Sequence, residues 1–186
     1  DLTEATLHDC DATHATFDGA TLARADFASA VLSFASLRRA DLTGCNIAEV
    51  EMQHANLIDA NLRGAHFERV SCAYCDMRGV NLQGAGLQGL TARHANLEGA
   101  SLRRSIMQFA QLSHTNARGV DFRLADLQGV DLSFSSLQGA RFSGSDLLFT
   151  VFTNASIEGA DFRGARHLSH AQLRFTTGTG IGMPAS

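Results

Sequence analysis

Ala55-Asn56-Leu57-Ile58-Asp59, Ala60-Asn61-Leu62-Arg63-Gly64, Ala65-His66-Phe67: in this stretch a small residue, a polar residue and a large apolar residue recur every five positions. The same rule holds outward in both directions. One column runs from Leu2 to Phe162 in steps of five and holds Leu, Phe, Ile or Met, with only Ala12, Cys72, Ala92 and Ala117 smaller. A second column, from Ala5 to Ala165, holds Ala, Cys, Val, Ser or Thr, with Leu90 the one large exception. The register holds through 33 consecutive units. A chain built this way is a quasi-one-dimensional array.

A period of five fits neither a helical stripe nor a simple alternating strand. Two inward columns separated by one polar residue imply short extended segments joined by frequent turns. The intervening polar column is Asp or Asn at 16 positions, and such side chains bond local backbone and favour turns. Two residues beyond each central position lies a column with 13 of the 17 glycines, shared with Phe34, Arg39, Tyr74 and Phe149. Those bulky occupants argue that a positive φ is not obligatory there, so the column reads as an outward corner with little room.

The units at 40–44, 60–64 and 95–99 (Ala-Asp-Leu-Thr-Gly, Ala-Asn-Leu-Arg-Gly and Ala-Asn-Leu-Glu-Gly) resemble the pentapeptide-repeat family over residues 1–166. The resemblance implies an all-β solenoid, a right-handed quadrilateral parallel β-helix with four units per coil. About 8 coils at about 4.8 Å would give a rod roughly 40 Å long. The expected organisation is a β-helix over 1–166, a C-terminal cap helix over 167–175 and a flexible tail over 176–186.

Stacking residues 20 apart brings His14, Phe34, His54, Tyr74, His94, His114 and Phe134 onto one outward line. These seven belong to the nine His, Phe and Tyr residues of the corner column. The line reads either as a solvated, stiffened corner or as a lateral docking face. A metal site on His94 and His114 lacks an acidic or Cys ligand on the same line. Beyond the array, Ser169 and Gln172 have capping-box spacing, and Leu168 and Leu173 the spacing of a hydrophobic staple, so a short helix over about 170–175 should cover the last coil. The first coil shows no such cover. Because Asp1 already lies in the repeat, the chain reads as a piece whose open end is met by further sequence, a partner or a second copy.

The net charge of −4 hides an asymmetry: residues 1–68 carry 11 acids and 4 Arg, residues 69–186 carry 8 acids and 11 Arg. Arg63, Arg103, Arg123 and Arg163, with Arg104 beside them, alternate with Asp121 and Asp161 and read as self-compensating surface charge. No continuous basic stripe for nucleic acid is present. Cys72 and Cys75 have C-x-x-C spacing, but both fall on inward columns, and Cys10 and Cys45 lie coils away. The four cysteines read as small hydrophobes without a disulfide framework, which favours a reducing compartment. No apolar run is long enough to span a membrane.

No catalytic, cofactor or metal motif emerges, so the chain reads as non-enzymatic, a rigid rod that docks another protein. The family resemblance implies an alternative. Its fluoroquinolone-resistance members imitate duplex DNA and bind DNA gyrase or topoisomerase IV as end-to-end dimers, which would make this chain a homodimer through a rod end. Its modest charge and basic second half depart from a continuous acidic face. A further alternative is the repeat module of a secreted bacterial effector or secretion-system protein. The first two readings place the chain in the cytoplasm.

Overall fold

The computed structural model describes residues 1–184. The array winds so that each residue pairs in parallel with the one 20 positions on, from Thr6 with Asp26 to Asp146 with Arg166. Within residues 1–166 every bridge falls on the polar column, one per unit, so each coil has four short extended segments and four corners.

The backbone donors of a single unit explain why five residues suffice. The N–H of Leu57 bonds Asp76 at 2.7 Å, that of Asp59 bonds Arg78 at 2.9 Å, and that of Asn61 reaches back to Ala40 at 2.9 Å. Ala60 closes the turn onto Leu57 at 3.0 Å. The remaining donor, on Ile58, goes to the Asn56 side chain at 3.2 Å. Asp41, Asp121 and Asp161 serve Thr43, Arg123 and Arg163 in the same way. The Asp/Asn column therefore satisfies the one N–H that the stacked backbone leaves over.

The corner corrects the sequence expectation. Every corner residue of the 33 units has positive φ, Phe34 at 62° and Tyr74 at 60° as well as Gly64 at 65°. The residue occupies the third place of a four-residue turn that closes between a central carbonyl and the next small residue's N–H, and that place demands a left-handed conformation. A non-glycine residue there costs about 1–2 kcal/mol, an amount the surrounding ladder is able to impose.

The central column fills the axis and is fully buried from Leu22 onward, whereas Leu2, on the first coil, is 38% exposed. Leu90 and Ala92 are both buried, a large-for-small exchange inside one corner. Phe142 stacks between Phe122 at 5.0 Å and Phe162 at 4.8 Å, with Phe152 meeting it edge-on at 5.8 Å. Hydroxyls in the small column turn back to backbone, as Ser145 does to the Phe142 carbonyl at 2.6 Å.

Cys72 and Cys75 are joined in a disulfide between the axial column and the small closing column. This corrects the expectation of unpaired cysteines and removes its argument for a reducing compartment. Inward columns three residues apart across one turn bring the Cα atoms to 5.4 Å, within disulfide reach. Cys45 remains a free thiol, pushed up to about 12 by burial.

At the far end, helix α1 spans His170–Leu173. Gln172 accepts the Ser169 N–H at 2.8 Å and donates to the carbonyls of Leu147 and Thr150 at 2.7 and 3.1 Å. One side chain thus caps the helix and ties it to the 147–150 turn of the last full coil. Leu173 is buried and Leu168 packs against the core. The helix stops short of 175 because the chain turns back into the sheet. Residues 176–183 are not a free tail: Thr177 pairs with Ser156 and Ile181 with Asp161. Gly178 and Gly182 supply the positive-φ corners of this partial ninth coil, and a Cβ on Gly182 would sit 2.8 Å from the Arg163 backbone. Ala185 and Ser186, the last two residues of the expected tail, lie outside the described residues.

Candidate functional site: a ladder of rings along one corner

His14, Phe34, His54, Tyr74, His94, His114 and Phe134 form one uninterrupted stack. Successive ring centroids lie 5.0, 4.9, 5.1, 4.8, 4.9 and 4.8 Å apart. The planes are within 22° of parallel throughout and within 5° in four of the six steps. The spacing is that of the sheet, because each ring is carried on the same corner of successive coils. Phe34, Tyr74 and Phe134 remain 52–54% exposed. Their faces are spent on one another, so the ladder shows solvent its edges and the imidazole nitrogens.

All seven residues sit at positive φ, where glycine would be unstrained. Stacking returns part of that strain, since each aromatic pair across a sheet contributes about 0.2–1 kcal/mol. His94 and His114 meet face to face at 4.9 Å, and among the described residues no cluster of three His, Cys, Asp or Glu is placed to hold a metal.

A second apolar group was not singled out in the sequence. Phe109 and Phe149, on the neighbouring corner two coils apart, are 70% and 75% exposed. Ile106, Leu124 and Val151 are exposed as well, and the Phe109 ring lies over Gly129. Phe149 and Val151 also line a shallow cleft with Thr153 and Gln172 beside the cap. The available signal was two Phe residues 40 positions apart in a column of otherwise small or charged corners.

Several carboxylates on the flat faces are clamped by an arginine two residues on. Asp121 takes both Nε and Nη2 of Arg123 at 2.8 and 2.7 Å, and Asp161 takes those of Arg163 at 2.9 and 2.7 Å. The hydrogen bonds and charge of Arg163 hold the Asp161 carboxyl down to about 2. Its folded value lies below the ordinary carboxylate value of about 3.9. The pair's contribution is therefore complete above that value and is lost as pH falls towards 2. The contribution is small because the guanidinium is largely exposed. Arg163→Gln should move the Asp161 titration upward towards the ordinary range, read by carboxyl NMR; an unmoved titration would break the assignment.

A family model described as pentapeptide repeats matches in overlapping segments that together run over residues 1–166. Among solved structures, the chain is similar to HetL of Nostoc sp. strain PCC 7120, a pentapeptide repeat protein involved in heterocyst differentiation regulation. That match has 28% identity and a TM-score of 0.64, over 83% of this chain and 71% of HetL. It is also similar in fold to QnrB1, a plasmid-mediated fluoroquinolone resistance protein, with 19% identity and a TM-score of 0.63 over 94% of this chain and 90% of the other. No curated protein sequence matches. No helix among the described residues is long and apolar enough to cross a membrane.

Proposed function

Because the chain belongs to the pentapeptide-repeat family, whose members are generally structural or interaction modules, we propose that it is a non-enzymatic docking rod and that the ring ladder is its contact line for a partner protein. The observation that carries this reading is the unbroken stack of seven rings at strained corners, with Phe34, Tyr74 and Phe134 half-exposed. Aromatic edges and imidazoles in a straight, rigid row offer large contact area with little side-chain entropy left to lose. The rod holds the row fixed, so a partner meets a preorganised surface. The likeness to HetL, a protein involved in regulation, is in keeping with action through contacts.

The test is a comparison of baits. Wild-type rod and a Phe34→Ser, Tyr74→Ser, Phe134→Ser variant would be exposed to extract of the source cell, and bound proteins quantified. We expect a protein held by wild type to be lost at least tenfold from the variant. Stability should fall by about 1–5 kcal/mol in total, because five of the six stacks are broken at exposed positions. Equal retention by both baits would reduce the ladder to a structural stiffener. The gyrase alternative has its own readout: supercoiling by purified gyrase, with and without a fluoroquinolone, as the rod is titrated in. Inhibition or protection that survives in the triple variant would replace the ladder as the contact surface.

A further inference from the structure

The arginine row reads as self-compensating in the sequence, and the structure divides it in two. Arg123 and Arg163 are each held by the carboxylate two residues before them, Asp121 and Asp161. At the equivalent places before Arg63 and Arg103 the chain has Asn61 and Ser101. The backbone setting is the same and the clamp is missing. Among the described residues neither Arg63 nor Arg103, nor Arg104 beside it, forms an ion pair, whereas Arg123, Arg141 and Arg163 on the same face do. The Nε of Arg103 is shielded from solvent without an acceptor. With that nitrogen shielded, a carboxylate arriving from outside would be met by the outer guanidinium nitrogens.

The surroundings keep this strip open. Asn81 and Gln83 lie between the two arginine rungs, so no acid interrupts it. The acids at its borders are already engaged or turned aside. Asp41 accepts from Thr43 and Asn61, Asp121 is clamped by Arg123, and the Asp59 carboxylate leans over Gly79 at the edge. Gly64 and Gly84 form corners with nothing near where a side chain would stand, so the flat face can be approached from that flank.

We infer that this face binds an acidic, extended peptide segment, with Arg63 receiving one carboxylate and Arg103 with Arg104 another. The spacing selects the conformation. Arg63 and Arg103 are two coils apart, about 9.6 Å along the rod. In a polyproline-type segment the residues i and i+3 share a face and are about 9.3 Å apart. A β-strand places same-face residues about 6.6 Å apart and falls out of step with the rungs. The fitting partner therefore carries an acid at every third position in a proline-bearing, locally extended stretch. This surface lies on a flat face, separate from the ring ladder, and stands or falls without it.

The probe is a fluorescein-labelled peptide of repeated Glu-Pro-Ala triplets, followed by fluorescence anisotropy against the full chain at low salt, with Gln-Pro-Ala triplets as control. Binding should be at least tenfold weaker for the Gln peptide and should fall as salt rises. The decisive variant is Asn61→Asp with Ser101→Asp, which keeps every arginine and installs the clamps found at Asp121 and Asp161. It should lose at least tenfold, as should Arg63→Gln with Arg103→Gln, which serves if the first variant is poorly folded. Equal binding of the Glu and Gln peptides, or full binding by the clamped variant, overturns the proposal. Tighter binding of single-stranded oligothymidylate than of the Glu peptide would also overturn it, assigning the strip to nucleic acid instead.

Discussion

Phe142→Ala should be the most damaging single truncation in the rod, costing about 3–5 kcal/mol. The ring is fully buried, stacked on two others and met edge-on by a third, so its loss leaves a cavity whose walls are themselves rings. The backbone cannot collapse into that space, because the coils above and below are pinned by hydrogen bonds at the sheet spacing. In an array whose parts touch only their neighbours the damage should be local first. Hydrogen exchange should show protection falling in the coils around residues 122–162 while those near residues 40–80 keep theirs. The control is Phe34→Ala at an exposed ring, expected to cost no more than about 1 kcal/mol. A comparable loss from the two variants would mean that the inward and outward columns have been interchanged.

Gly182→Val should undo the last partial coil. The position has φ 70°, and its Cβ would meet both the Arg163 side chain and backbone atoms at 2.8 Å, which cannot move aside without breaking the coil beneath. Left-handed strain and the clash together exceed about 2–3 kcal/mol. The Thr177 and Ile181 amides donate to Ala155 and Ala160 at 2.9 and 2.7 Å. Their exchange should accelerate by about a hundredfold, with the bulk of the rod unchanged. Unaltered exchange at both amides would show that residues 176–183 are not held in the sheet. Gly182→Ala should give a smaller effect of the same sign.

Much of this architecture could be read from residue identities because each column has one physical job. The axis must be large and apolar, the closing column small, and the turn column able to accept a backbone N–H. The alignment of His14 through Phe134 was equally legible once residues 20 apart were stacked, since it needs only the coil length. The corner conformation was not. Phe34 and Tyr74 suggested that φ was free there, but a turn repeated at every unit imposes its conformation on whatever side chain occupies it. The pairing of Cys72 with Cys75 depends on the same turn, which brings an axial and a closing residue within reach. The end of the chain hides its structure for a different reason. Its Gly and Thr content resembles a loose tail, and the two glycines are instead placed where the partial coil needs left-handed corners. Nor could composition show that Gln172 divides its amide between the helix and the carbonyls of Leu147 and Thr150.

The parallel pairing of each residue with the one 20 positions on has a consequence for how such a rod can change by insertion or deletion. Adding or removing one five-residue unit preserves every inward column, so the product still folds. Yet it swings everything downstream by a quarter turn about the long axis, and rings that began in one line would continue on the next edge. Only indels of four units, a whole coil, lengthen or shorten the rod while leaving all its edges in phase. The fold thus tolerates steps of five, but a contact line running its length tolerates only steps of 20. An unbroken row of rings from residue 14 to residue 134 therefore marks a span in which no quarter-turn slip separates the coils.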